Sequence, residues 1–280
     1  KTEIREDGKM KLLTGNEAIA RGAWEAGVVV CTAYPGTPST EITENAAKYP
    51  EIYAEWSPNE KVALEVGIGA SIAGGRALVA MKHVGVNVAA DPLFTVAYTG
   101  VNAGLVLVSA DDPGMHSSQN EQDNRHFGRA AKIPVIEPSD SQECKDFIKM
   151  AFEISEQFDT PVLFRITTRV AHSQSLVKLD ERQNVELKDY VKNPAKYVMM
   201  PANARRRHFA VEERLEKLKD FAETTSLNRI EWKDTKIGVI VNGITYQYVK
   251  EVLPEASILK LGMTFPLPRK LITEFASKVD

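Results

Sequence analysis

Between residues 28 and 166 the chain repeats one pattern: a short, β-branched apolar run, a turn marked by Gly or Pro, then a stretch with helical spacing. The apolar runs fall at 28–33, 52–55, 77–81, 105–109, 134–137 and 162–166. Helices are predicted from the capping box Thr14/Glu17, and over 39–48, 59–74 and 141–158. The runs do not alternate apolar with polar residues, so the predicted strands are buried on both faces. The expected fold is therefore α/β, a parallel sheet covered by helices on both faces, with ligands meeting the loops at the carboxyl ends of the strands.

After about residue 170 the pattern loosens. Residues 171–200 read as a polar connector with a turn at Asn193-Pro194, and 204–224 as a charged helix whose apolar stripe is Val211, Leu215, Leu218 and Ala222. Its Arg205, Arg206 and Arg207 are followed at once by acidic residues, so a solvated helix start is preferred over a nucleic-acid patch. A strand at 236–241, a helix to 253 and a strand at 257–261 begin a second α/β unit. The expected division is residues 1–180, a connector with charged helix over 181–234, and an incomplete unit over 235–280. So short a unit either leans on the first domain or lacks its remainder, and the second is preferred.

With 280 residues, 43% hydrophobic content and net charge −3, the chain offers no general field for nucleic acid or anionic membrane. Cys31 and Cys144 stand far apart and suit a reducing compartment, without the number needed for a four-cysteine cluster. The start, KTEIREDGKMKLL, has no apolar core for a signal peptide, and no run approaches the ~20 apolar residues of a spanning helix. A soluble cytoplasmic enzyme of small molecules is expected.

Three segments carry candidate chemistry. In YPGTPST (34–40), Gly36 permits a tight turn, and the hydroxyls of Thr37, Ser39 and Thr40 would gather at a helix start. That suits a carboxylate or phosphate, although ordinary capping uses the same residues. In PNEKVALEVGIGASIAGG, Glu60 lies in a first helical turn, where an acid ordinarily complements the helix dipole. The small residues after it permit close approach of another backbone, as at a dimer contact or a ligand-facing helix. Glu65, one turn on, is given a structural role. The loop 109–129, SADDPGMHSSQNEQDNRHFGR, is long and polar. Asp111, Asp112, His116, Asp123 and His126 there show no fixed ligand spacing, so no metal site is expected. Arg125 and Arg129 are the residues suited to an anionic substrate.

Taken together, TGNEAIARGAWEAGV, YPGTPSTE, NEKVALEVGIGASIAGGRALVAMKHVGVN, ADPL and SADDPGMHSSQNEQDNR resemble the N-terminal part of indolepyruvate ferredoxin oxidoreductase α subunits, within the 2-oxoacid:ferredoxin oxidoreductase superfamily. The resemblance covers nearly the whole chain. It implies a pyrimidine-binding domain for thiamine diphosphate, followed by the start of a transketolase C-terminal-like domain. It also implies that Glu60 matches the glutamate that bonds N1′ of the aminopyrimidine, favouring the imino tautomer whose 4′-nitrogen can remove the C2 proton. Thr37 matches the threonine that contacts the 2-oxoacid, and either Arg125 or Arg129 would meet its carboxylate. Gly36, Lys82, His83 and Asn87 would face the cofactor.

The reaction so implied turns an arylpyruvate into an aryl-acetyl coenzyme A, with electrons passing through 4Fe-4S clusters to ferredoxin and a β subunit as partner. Pyruvate, 2-oxoglutarate or branched-chain oxoacids are alternative substrates, and a non-catalytic assembly subunit, as a dimer, is a further alternative. The chain has no Gly-Asp-Gly with a downstream Asn–Asn for Mg2+ and diphosphate, and no Cys-x-x-Cys-x-x-Cys. Those parts are expected elsewhere. The start at Lys1 rather than Met fits a piece of a longer subunit, or a split one, inactive alone.

Overall fold

The computed structural model describes residues 9–280; the first eight, on which the reading of a missing leader partly rests, lie outside the described residues. The first unit carries strands β1 (Met10–Thr14), β2 (Val30–Ala33), β3 (Tyr53–Trp56), β4 (Ala77–Lys82), β5 (Leu105–Asp111), β6 (Val135–Ile136), β7 (Val162–Thr167) and β8 (Gln174–Lys178). Between them run helices α1 (Gly15–Glu25), α2 (Thr40–Ala46), α3 (Glu60–Ile72), α4 (His83–Val88), α5 (Ala90–Thr99), α6 (Arg125–Ala131), α7 (Ser141–Phe158) and α8 (Thr168–His172). The connector holds α9 (Pro194–Tyr197) and α10 (Pro201–Thr224). The remainder is β9 (Asn228–Glu231), β10 (Asp234–Asn242), α11 (Thr245–Val252), β11 (Ala256–Leu261), β12 (Met263–Phe265) and α12 (Arg269–Ala276).

The main sheet has seven strands in the order β12-β6-β7-β5-β4-β2-β3, and all its pairings are parallel except that of β12 with β6. Successive residues of the central strands serve opposite faces. Leu78, Ala80, Val106, Val108, Val162 and Phe164 join the core built with α1, α2 and α7. Ala77, Val79, Leu105, Leu107 and Leu163 join the one built with α3, α4, α5 and α6. The expected layering follows directly from this two-sided burial.

Three features were not expected. β1 and β8 pair antiparallel in a separate two-stranded sheet, so ordered structure continues into the segment read as a polar connector. β12, from the C-terminal unit, forms the antiparallel edge of the main sheet, and that unit therefore leans on the first domain. In the predicted stripe of α10, Val211, Leu218 and Ala222 are buried, but Arg214 is buried too and donates to the Asp159 backbone carbonyl (2.7 Å). Among the described residues no helix is long and apolar enough to cross a membrane.

Helix α3 is held close to β4 because Gly67 has no side chain: a Cβ there would stand 2.4 Å from Val79 Cγ2. Val79 is fully buried and stiff at χ1, so it cannot move aside. Gly67→Ala is expected to cost ~1–3 kcal/mol by overpacking, seen as a lower midpoint in chemical denaturation of the purified protein with an unchanged slope.

Candidate functional site

The turn at 34–40 leaves the carboxyl end of β2 and closes on itself. Thr40 Oγ1 accepts the Gly36 N–H (2.9 Å), while Ser39 Oγ donates to the Gly36 carbonyl (2.8 Å). Asn16, fully buried in α1, anchors the turn by donating to the Pro38 carbonyl (2.8 Å). The expected set of three hydroxyls facing an anion is thereby corrected: Ser39 and Thr40 are spent on the turn's own backbone, and Thr37 alone is exposed. Gly36 lets the turn lie against the end of β4, since a Cβ there would come 3.1 Å from Lys82 Cβ.

From β4 the contacts run into the long loop. Lys82 Nζ donates to the Ser117 carbonyl (2.6 Å), and Ser117 Oγ to the Thr37 carbonyl (3.5 Å). His83 is fully buried. The Asp112 backbone N–H donates to its Nδ1 (3.3 Å), which leaves Nε2 as the protonated nitrogen, donating to the Asn120 carbonyl (3.0 Å). Both ring nitrogens are thus engaged by backbone, so His83 supports the loop rather than offering a free nitrogen to a cofactor. Asn87 is exposed on α4.

Sequence reasoning missed the residues that fasten this loop. The Asp112 carboxylate accepts from the Ser117 N–H (2.8 Å), Ser118 Oγ (2.6 Å) and Thr168 Oγ1 (2.8 Å). Burial would raise its pKa, but these bonds outweigh burial and hold it well below the usual carboxylate range. Asn124, also buried, donates to the His83 carbonyl (3.0 Å) and to Ser109 Oγ (2.8 Å). The only sequence signal was the run of side-chain acceptors and hydroxyls within one loop, which does not say which of them pair.

Glu60 opens α3 behind the N-cap Asn59, whose side chain accepts the Val62 N–H (3.0 Å). The N-cap duty is therefore already filled. Among the described residues the half-buried Glu60 carboxylate has no hydrogen-bond or ion-pair partner. It lies over Gly85 in the first turn of α4, where an added Cβ would come 2.7 Å from Glu60 Oε1. Glu60, Gly36, Thr37, Lys82 and His83 thus occupy neighbouring strand ends.

The two arginines part company. Arg125, at the start of α6, makes a two-point contact with Asp123 through Nε and Nη2 (2.8 and 2.7 Å) and lines a cleft of about 800 Å³ between the first unit and α11. Burial would raise the Asp123 pKa, but Arg125 and Arg165 bring it down to about 2. Arg129 is exposed and lines a second cleft, of about 640 Å³ between α6, α10 and the β12–α12 connection, which Arg125 also lines. Of the two, Arg125 directly follows Asn124, the residue whose side chain reaches the His83 carbonyl. Among the described residues there is no group of three or more His, Cys, Asp or Glu side chains able to hold a metal ion.

Because Asp112 titrates lower folded than unfolded, where a carboxyl has a pKa of ~3.9, its bonds hold the loop at neutral pH and are lost as pH falls below that range. Asp112→Asn puts an amide donor among three donors and is expected to loosen the loop by ~1–3 kcal/mol. Hydrogen exchange of amides 113–123 should rise in the variant at pH 7, and the difference from wild type should shrink below pH 4.

A model of the family described as pyruvate flavodoxin/ferredoxin oxidoreductase, thiamine diphosphate-binding, matches residues 21–230. Indolepyruvate oxidoreductase subunit IorA of Archaeoglobus fulgidus is 46% identical over 98% of this chain and 46% of its own length; that of Pyrococcus horikoshii is 48% identical over 98% and 44%. The chain thus spans less than half the length of these relatives. A 2-oxoglutarate:ferredoxin oxidoreductase from Magnetococcus marinus, solved with 2-oxoglutarate, coenzyme A and succinyl-CoA bound, matches with TM-score 0.77 over 99% of this chain and 57% of its own, at 15% identity, a likeness of fold. On the family match and on the extent of these identities, the chain belongs to the thiamine diphosphate-binding family of pyruvate flavodoxin/ferredoxin oxidoreductases.

Proposed function

We propose that this chain is the pyrimidine-binding part of a cytoplasmic 2-oxoacid:ferredoxin oxidoreductase acting on indolepyruvate and related arylpyruvates, and that Glu60 is its acid–base carboxyl. The observation that carries the reading is the Glu60 carboxylate itself, half-buried, without a protein partner among the described residues, and with space kept clear beside it by Gly85. A carboxylate that no group of the chain engages is free to bond one from outside it. An aminopyrimidine nitrogen is such a group, so the residues present suit the cofactor.

When bound, thiamine diphosphate supplies a thiazolium carbon that adds to the 2-oxo carbon and takes up the electron pair released on decarboxylation. Glu60 holds a proton at N1′ of the aminopyrimidine. Thr37, exposed at the edge of the turn, is assigned to the 2-oxoacid, and Arg125 is preferred over Arg129 for its carboxylate because its loop reaches the same strand ends. Gly36 and Lys82 shape the wall between them, and His83 keeps the loop closed. Mg2+, the diphosphate contacts and the 4Fe-4S clusters are assigned to parts of the enzyme beyond this chain, with a β subunit, ferredoxin and coenzyme A as partners.

The aryl substrate is preferred because the IorA relatives share 45–48% identity, against 29% over 62% of this chain for a 2-oxoglutarate synthase subunit KorA of Methanothermobacter thermautotrophicus. A dimer is part of the same proposal, with the small residues of α3 beyond Gly67 as the surface open to another backbone. In the assembled enzyme, Glu60→Gln is expected to slow exchange of the C2 proton of bound thiamine diphosphate ~10²-fold or more, with the melting temperature unchanged. Wild-type exchange in that variant would overturn the assignment.

A further inference from the structure

We propose that Gly85 is a positioning residue for Glu60: its missing side chain is the space that keeps the carboxylate pointed at its partner. The inference rests on the reading of Glu60 above. Gly85 is buried in the first turn of the short helix α4. Its φ lies outside the left-handed region, so the backbone does not require glycine there. Helix propensity in fact favours alanine at such a position. What stands against alanine is Glu60. A Cβ on Gly85 would come 2.6 Å from Glu60 Cγ, 2.7 Å from Oε1 and 2.9 Å from Cδ, and these are the three nearest heavy atoms to it.

The contrast with Gly67 shows why this points to function rather than packing. An added methyl at Gly67 meets Val79, a fully buried branched side chain on a strand that cannot yield. At Gly85 it meets the Cγ, Cδ and Oε1 of a flexible, half-buried side chain, which swings away by rotating about its Cα–Cβ bond at little cost to the fold. The fold therefore tolerates alanine, and the carboxylate does not keep its place. A proton held between a carboxylate and a ring nitrogen needs the two within hydrogen-bond reach, so a displacement of the order of a methyl radius disables it.

The test uses the full-length subunit assembled with its partner and compares Gly85→Ala, Glu60→Gln and the double variant. Three quantities are read: melting temperature without cofactor, affinity for thiamine diphosphate with Mg2+, and exchange of the C2 proton of the bound cofactor. Gly85→Ala is expected to leave the melting temperature unchanged or raised, to weaken thiamine diphosphate binding about tenfold and to slow exchange at least tenfold. Placed on Glu60→Gln, it should slow exchange no further, because the carboxylate it displaces is already gone. Wild-type exchange in Gly85→Ala while Glu60→Gln is disabled would overturn the positioning role alone. So would equal losses in both backgrounds, or a melting temperature lowered by several degrees. Wild-type exchange in Glu60→Gln would instead overturn the reading of Glu60 itself.

Discussion

At the carboxyl end of β5 two consecutive aspartates face opposite ways, and the placement of the whole long loop depends on them. Asp111, fully buried, accepts from Arg165 Nε (2.7 Å) and from the Asn124 N–H (3.0 Å), fixing the far end of the loop to β7. Asp112 gathers Ser117, Ser118 and Thr168 and so folds the near end back. Burial pushes the Asp111 carboxyl up, with Arg165 and the Asn124 N–H pulling against it. Burial would likewise lower Arg165, yet Glu137 and Asp111 hold it well above its ordinary value. Such a network is worth little as net stability, but it fixes the loop because each of these carboxylates is met by several donors at once.

That arrangement also binds the C-terminal unit to the first. Glu137 accepts from Arg165 Nη1 (2.7 Å), and also from Asn242 (3.0 Å) and Thr264 (2.7 Å) across the junction. Farther along the same segment Asp140 accepts from Gln247 (3.0 Å), and Glu143 pairs with Arg229 (3.0 Å) and with the buried Lys260. The polar groups that receive the second unit thus lie within seven residues of one another, at the entry to α7. The antiparallel strand β12 is laid beside β6 by the same set, since Thr264 is its central residue.

How much of this could be read from the residues varies with the physics involved. The runs at 77–81, 105–109 and 162–166 were legible as strands because burial on both faces leaves an unbroken apolar signature. Helix 141–158 was legible from its spacing, and the structure adds its Asp140 cap. β12 was not: three residues carry no periodicity, and its pairing with β6 spans more than a hundred residues of sequence. Helices α4 and α5 were passed over because residues 83–99 are apolar without a strong stripe. At the candidate site, Glu60 and Thr37 are singled out by the family resemblance, since their local motifs alone suit ordinary helix starts. The locked ring of His83 could not, since its partners are backbone groups of Asp112 and Asn120 supplied by a loop whose course no local rule gives.

The contrast among the acids narrows what Glu60 is for. Asp111, Asp112, Asp123 and Glu137 each receive two or more donors from the chain itself. Those bonds commit them to holding the loop and the junction. Glu60 gains at most the ~0.3–1 kcal/mol that a first-turn acid draws from the helix dipole, because the Asn59 side chain already serves the exposed N–H of Val62. That is too small to explain why a glycine clears space beside its carboxylate in a helix that alanine would suit better. Among the described residues no group of the chain engages the Glu60 carboxylate, which sets it apart from the acids committed to the loop and is what the proposed proton-holding role requires.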